Sequence, residues 1–267
     1  MGHRPREMKK RIPILMYHEV EDLAKLKLAI ANNEVHPSYI VATNSFKQQL
    51  YQIISHGLTT LNAEDLNSNF DCDKPLLITF DDGYSNNYTS VFPELLANHM
   101  VGTFFVIASS IGFNRMMTKS QLIEMSNNCM SIQSHGLTHR PMASLSKKEL
   151  SIELEESKKI IEDITGKEVC CLSLPHGSFD LKVLRLAREA GYKKIFTSFQ
   201  GYSPPYQYLC YRINIRRELA MDAFNAIISQ RRNFLVQQVG QSVKILIKSI
   251  IGDNNYLRLF HKINKLA

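Results

Sequence analysis

No run in this chain approaches the roughly 18 consecutive apolar residues that a membrane-spanning helix requires. "ILMY" at Ile14 is short, and "VKILIKSII" near the end is broken by Lys248. The apolar stretch of a secretory signal is also missing, so the expected location is cytoplasmic. Cysteine is sparse: Cys72, Cys129, Cys170, Cys171 and Cys210 form no CxxC pair. An odd count without paired spacing argues against a disulfide framework, which leaves reduced, buried, small apolar residues as the expectation. Cys170-Cys171 in "VCCLSL" reads as core rather than as a redox or metal site. There is no internal repeat and no low-complexity tract. What is present, 44% hydrophobic and 21% charged residues over a length of 267, is globular material for one large α/β domain or two small ones.

Short apolar runs alternate with helical patterns. Strands are expected at residues 12–17, 58–61, 76–80, 103–108, 130–134, 169–174, 194–198 and 209–213. Helices are expected at residues 45–56, ending at Gly57, and from a capping box made by Ser146 and Glu149 to a stop before Gly166. A further helix capped by Asp180 closes at Gly191. This alternation implies a parallel sheet, with a barrel of β/α units the leading architecture and an open doubly wound sheet the alternative. In either, chemistry gathers at the C-terminal ends of the strands.

Two motifs sit at such ends. "LLITFDDG" runs an apolar strand into Asp81-Asp82-Gly83, and taken alone an Asp-Gly pair there is a turn signal. Adjacent carboxylates raise each other's pKa, however, and a nearby cation relieves the repulsion. "SIQSHGLTHRP" places His135 and His139 four residues apart after another strand, a spacing that suits one metal ion or a chance pair. Together, Asp82, His135 and His139 would supply three protein ligands and leave one position open for water, the pattern of a catalytic site. The donor set suits Zn2+ and would also accept Co2+ or Ni2+.

"TFDDG" followed by "SHGLTH" resembles the polysaccharide deacetylase family, the NodB-homology or carbohydrate esterase 4 group. The likeness runs from "ILMYHEV" to "YRINI" and takes in "NSFKQQLYQIISHGL" and "GTFFVIA". It implies a distorted (β/α) barrel and a metal-dependent hydrolase that removes acetyl groups from sugars. It also implies roles: Asp81 as catalytic base, and Asp82, His135 and His139 as metal ligands. In "LSLPHG" the chain departs from the family pattern, with Ser173 where an arginine stands and His176 where a tyrosine stands. A subgroup acting on poly-N-acetylglucosamine also lacks that arginine and carries a similar "YH" segment, so the chain resembles that subgroup most. Arg212, at the end of the last strand, is the expected replacement partner of Asp81, with a surface arginine as the alternative reading.

The expected mechanism is attack of metal-activated water on the N-acetyl amide with Asp81 as base. The oxyanion would be met by a backbone N–H near Pro175, His176 and Gly177, the expected substrate-binding residues. The leaving amine would take its proton from His18 or His176. The substrate is expected to be an N-acetylated amino sugar of a polysaccharide or of a lipid-linked precursor. Rival readings are a catalytically silent carbohydrate-binding barrel and a deacylase of a small amide. Intact Asp81, Asp82, His135 and His139 oppose the silent barrel.

The formal net charge of +7 is concentrated at the ends. Residues 211–267 hold ten Lys/Arg against Glu218, Asp222 and Asp253, residues 1–11 are also basic, and the stretch between is mildly acidic. This divides the chain into a basic extension (1–11), a catalytic domain (12–220) and a basic amphipathic helical extension (221–267). Nucleic acid would explain the basic tail but none of the motifs, so no nucleic-acid partner is expected. Leu235, Val239, Val243, Leu246 and Ile250 recur at helical spacing with Lys244 and Lys248 on another face. Such a helix packs on the barrel or lies in the surface of an anionic membrane. Flotation with anionic liposomes separates the two readings: only a membrane helix makes the full chain float better than a chain ending near Gln230.

Overall fold

The computed structural model describes residues 11–31, 36–67, 70 and 72–230. Ten strands follow in order: β1 Ile14–Tyr17, β2 Glu19–Val20, β3 Ile40–Val41, β4 Thr59–Leu61, β5 Pro75–Phe80, β6 Thr103–Val106, β7 Ser131–Ser134, β8 Cys171–Ser173, β9 Lys194–Gln200 and β10 Leu209–Asn214. Seven of them form a parallel ring in the order β1-β10-β9-β8-β7-β6-β5. The ring closes where β1 pairs with β5, from Ile14 opposite Leu77 to Tyr17 opposite Phe80. β4 adds to the start of β5, and β2 pairs with β3 in a separate two-stranded sheet. The closed ring with its helices is the (β/α) barrel expected from the alternating pattern, and the open sheet is ruled out.

Side chains on a strand alternate between faces. One buried cluster, formed by Ile14, Leu77, Phe105, Cys171, Phe196 and Cys210, fills one end of the barrel interior. The other face, with Leu15, Tyr17, Leu76, Ile78, Phe80 and Phe104, packs under the helices. Continuing two residues at a time, the inner face of β5 passes from Leu77 to Thr79 and Asp81. That of β8 passes from Cys171 to Ser173, and that of β10 from Cys210 to Arg212 and Asn214. The interior therefore grades from apolar to polar toward the strands' C-terminal ends. Cys170, Cys171 and Cys210 are buried as expected, but Cys129 is exposed and Cys72 half-buried. Both lie in connections rather than in strands, where the apolar-core argument does not reach them.

The helices are α1 Lys27–Ala31, α2 Thr43–Ser55, α3 Phe92–Ala97, α4 Lys119–Asn127, α5 Lys147–Thr165, α6 Leu181–Glu189 and α7 Met221–Ile228. The Ser146–Glu149 capping box opens α5, and Gly166 closes it in the left-handed conformation (φ 67°) that glycine adopts without steric cost. The Asp180 side chain accepts from the Val183 N–H at the start of α6. α7 buries Phe224, Ile227 and Ile228 in the main core, and the Tyr202 hydroxyl donates to the Ile227 carbonyl at 2.9 Å. The remainder of the expected C-terminal extension and nearly all of the N-terminal one lie outside the described residues. Among the described residues no helix is long and apolar enough to cross a membrane.

Leu77 is fully buried in the interior cluster, whereas Leu181 is 85% exposed. Leu77→Ala is expected to cost about 2–5 kcal/mol in urea unfolding. Leu181→Ala is expected to change stability by about 0.5 kcal/mol or less. Equal losses from the two would contradict this placement of the core.

Candidate active site

A cleft of about 910 Å³ opens at the C-terminal ends of the strands, and Asp81, Asp82, His135, His139, His18 and His176 all line it. Asp81 directly follows β5, and its N–H donates to the Tyr17 carbonyl at 3.0 Å, which ties it to β1. Its carboxylate meets Arg212 as a two-pronged pair: Nη1 donates to Oδ1 at 2.7 Å and Nη2 to Oδ2 at 2.8 Å. Arg212 is wholly buried, so the surface reading of this residue fails. Its remaining donors are also used. Nε donates to the Thr197 carbonyl (3.0 Å), Nη1 also reaches Thr79 Oγ1 (3.4 Å), and Nη2 also reaches Ser173 Oγ (2.9 Å). Ser173 Oγ in turn donates to Asp81 Oδ2 at 3.0 Å. Ser173 thus lies between the aspartate and an arginine from another strand.

Burial alone would push the Asp81 carboxyl up, but the Arg212 guanidinium and then His135 outweigh it, holding its pKa below the usual value. Asp81 is therefore a carboxylate at neutral pH. A buried pair of this kind loses about 3–5 kcal/mol when one partner is removed, because the other charge is left uncompensated.

Beside it, Asp82 Oδ1 lies 3.3 Å from both His135 Nε2 and His139 Nε2, and the two imidazole nitrogens are 3.2 Å apart. Three donor atoms thus converge on one point, and they form a group that can hold a metal ion. His135 Nδ1 is 2.9 Å from the Ser173 carbonyl, an acceptor that keeps the ring proton on Nδ1 and turns the Nε2 lone pair toward Asp82 and His139. Burial opposes charge on His135, yet Asp81 and Asp82 outweigh it and raise its pKa. The pocket thus favours positive charge at the point of convergence. A divalent cation fits the donor set, the tautomer and the local field.

The backbone is bent to make this arrangement. Asp82 (φ 76°), His139 (φ 61°) and His176 (φ 55°) all adopt left-handed conformations, uncommon for residues with a side chain. Gly83 follows at φ 88°, and a Cβ there would sit 3.0 Å from Val106 Cγ1. The "GLTH" loop is held from α5 by Glu153, a buried carboxylate. It accepts from the Leu137 N–H (2.8 Å), the Thr138 N–H (2.9 Å) and the Thr138 hydroxyl. His176 is exposed and rests its ring 4.6 Å from that of His139. Burial lowers its pKa, and burial likewise lowers that of His18, whose Nδ1 is buried with no hydrogen-bond partner among the described residues. Pro175 has no N–H to offer an oxyanion, and the Gly177 N–H is bound to the Leu174 carbonyl at 2.9 Å. The expected backbone donor therefore narrows to His176.

Several residues of the site were not expected. Glu153 carried a signal: a carboxylate on the buried stripe Leu150, Leu154, Ser157, Ile161 of α5 calls for a specific partner. Glu19 of β2 lines the cleft, as do Tyr39, Tyr84 and Arg216 from connections far apart in sequence. Glu19 is buried, pairs with Arg115, and accepts from Asn86 at 2.7 Å.

Residues 69–195 match the family model described as Polysaccharide deacetylase. The Bacillus subtilis protein YxkH, whose name provisionally assigns it to polysaccharide deacetylation, is 28% identical over 233 residues, 85% of this chain and 79% of YxkH. The peptidoglycan-N-acetylmuramic acid deacetylase PdaA of the same organism is 32% identical over 129 residues, 47% of each chain. A crystal structure of a Bacillus cereus polysaccharide deacetylase superposes with a TM-score of 0.72 and 25% identity, over 82% of this chain and 69% of that one. A Streptococcus pyogenes deacetylase solved with acetate shares the fold, with a TM-score of 0.73 and 23% identity over 86% of this chain and 99% of that one. With the barrel and the clustered Asp82, His135 and His139 already in view, these matches show that residues 69–195 of the chain belong to the polysaccharide deacetylase family.

Proposed function

We propose that this chain is a metal-dependent hydrolase that removes N-acetyl groups from amino sugars of a polysaccharide or a lipid-linked saccharide. One observation carries the reading: an ionised aspartate clamped by Arg212 stands next in sequence to Asp82, whose oxygen meets two imidazole nitrogens in an open cleft. The relatives named for N-acetylglucosamine and N-acetylmuramic acid deacetylation support the sugar class. The poly-N-acetylglucosamine-like subgroup stays our choice within the family, because Ser173 replaces the usual arginine.

In this reading Asp82, His135 and His139 hold a divalent ion, with zinc the leading choice and cobalt or nickel also suited. The bound ion would supply Lewis acidity, easing the ionisation of a water and polarising the acetyl carbonyl. Asp81, kept ionised and fixed in orientation by Arg212, takes the proton from the attacking water. The amide C–N bond breaks, acetate leaves with the water's oxygen, and the amine takes up a proton. His18 and His176 are the imidazoles placed to deliver it, and the His176 N–H faces the developing oxyanion. His36, also on the cleft wall, is occupied by the Ser38 N–H.

Asp81→Asn is expected to lower metal-dependent acetate release from N-acetylated oligosaccharide by about 10²–10⁴-fold. Stoichiometric zinc binding should be retained, and full activity in this variant would refute the mechanism. Arg212→Met removes the cation that depresses the Asp81 pKa, leaving burial to raise it. Because the base works when deprotonated, the acidic limb of the kcat/KM profile should move to higher pH. An unmoved limb at undiminished turnover would remove Arg212 from the account.

A further inference from the structure

The fixed negative charges on the described cleft wall all have partners. Glu19 is paired with Arg115, Asp81 with Arg212, and Asp82 lies between His135 and His139. One cation on that wall has no ion-pair partner among the described residues: Arg216, exposed just beyond β10. Its guanidinium lies over the Tyr39 ring, 5.2 Å from the centroid, and the same ring lies 4.6 Å from that of His18. A guanidinium held over an aromatic ring by its face keeps its edge N–H groups available to grip a carboxylate or phosphate with two bonds. Two buried side-chain atoms of residues on the same wall, His18 Nδ1 and Asn214 Oδ1, have no hydrogen-bond partner among the described residues.

We infer that Arg216 is a specificity residue that selects an anionic saccharide, one bearing a carboxylate or phosphate near the N-acetyl group. This rests on the saccharide deacetylase reading above and sharpens its substrate class. The anion docks on Arg216, the sugar hydroxyls reach the cleft wall, and the acetamide is turned toward Asp81 and the Asp82 group.

The test uses the metal-loaded full chain and three probes: an N-acetylated glycan strand bearing carboxylates, the same strand with its carboxyls reduced to alcohols, and a phosphodiester-linked N-acetylhexosamine. Acetate release and calorimetric binding are measured for each. Wild type is expected to prefer one of the anionic probes over the reduced strand by at least about tenfold, mainly through KM, and the preference should shrink at high salt. Which anionic probe is favoured tells carboxylate from phosphate. Arg216→Gln should abolish the preference, and Arg216→Lys should restore only part of it, since lysine keeps the charge but not the fork. No preference in wild type, or one that survives Arg216→Gln, overturns the inference while acetate release leaves the deacetylase reading standing. No acetate from any probe, with charge-selective binding still dependent on Arg216, would overturn the deacetylase reading instead.

Discussion

A guanidinium cannot be buried in a barrel without partners for its charge and its five N–H donors. Arg212 has both: the Asp81 carboxylate takes two donors, and Thr197, Thr79 and Ser173 take the rest. Much of the site follows from this. Asp81 is fixed and ionised, so its neighbour Asp82 is directed onward to the two histidines, and Ser173 presents its hydroxyl to the pair and its carbonyl to His135. One residue of β8 therefore links the clamp on Asp81 to the orientation of an imidazole in the Asp82 cluster.

The barrel makes this pairing possible because strands distant in sequence become neighbours in the ring. β10 lies next to β1, and β1 next to β5, so Arg212 reaches Asp81 across the interior although 131 residues separate them. The apolar end of that interior, with Leu77, Phe105 and Phe196, excludes water below the pair. The low dielectric there strengthens the Arg212–Asp81 attraction and makes an unpaired charge costly. Function here depends on a polar layer placed directly above a packed core.

Much of this was legible in the sequence. Each apolar run expected to be a strand overlaps one, and a strand buried on both faces, such as β5 or β6, shows as a short hydrophobic stretch whatever its neighbours. The capping box at Ser146 and the cap at Asp180 were legible because their chemistry is local. The equally local box at Thr118 and Gln121 was passed over, since α4 is short and weakly patterned. β2 and β3, two residues each, carry no periodicity to read. The grouping of Asp82, His135 and His139 followed from strand ends and spacing. That Arg212 is buried rather than exposed could not be read from sequence, because it depends on which strands are neighbours. Tyr39 and Arg216 were missed for the same reason, since they meet only across the fold, whereas Glu153 on the buried stripe of α5 carried a signal that was passed over.

The central claim is that Arg212 and Asp81 act as one unit. A double-mutant cycle on kcat/KM with Arg212→Met and Asp81→Asn, run on metal-loaded enzyme with an N-acetylated oligosaccharide, tests it most directly. The account predicts strong non-additivity: once Asp81 has lost its charge, removing Arg212 should cost little more. Losses that simply add would contradict it, because the two residues would then be serving separate roles.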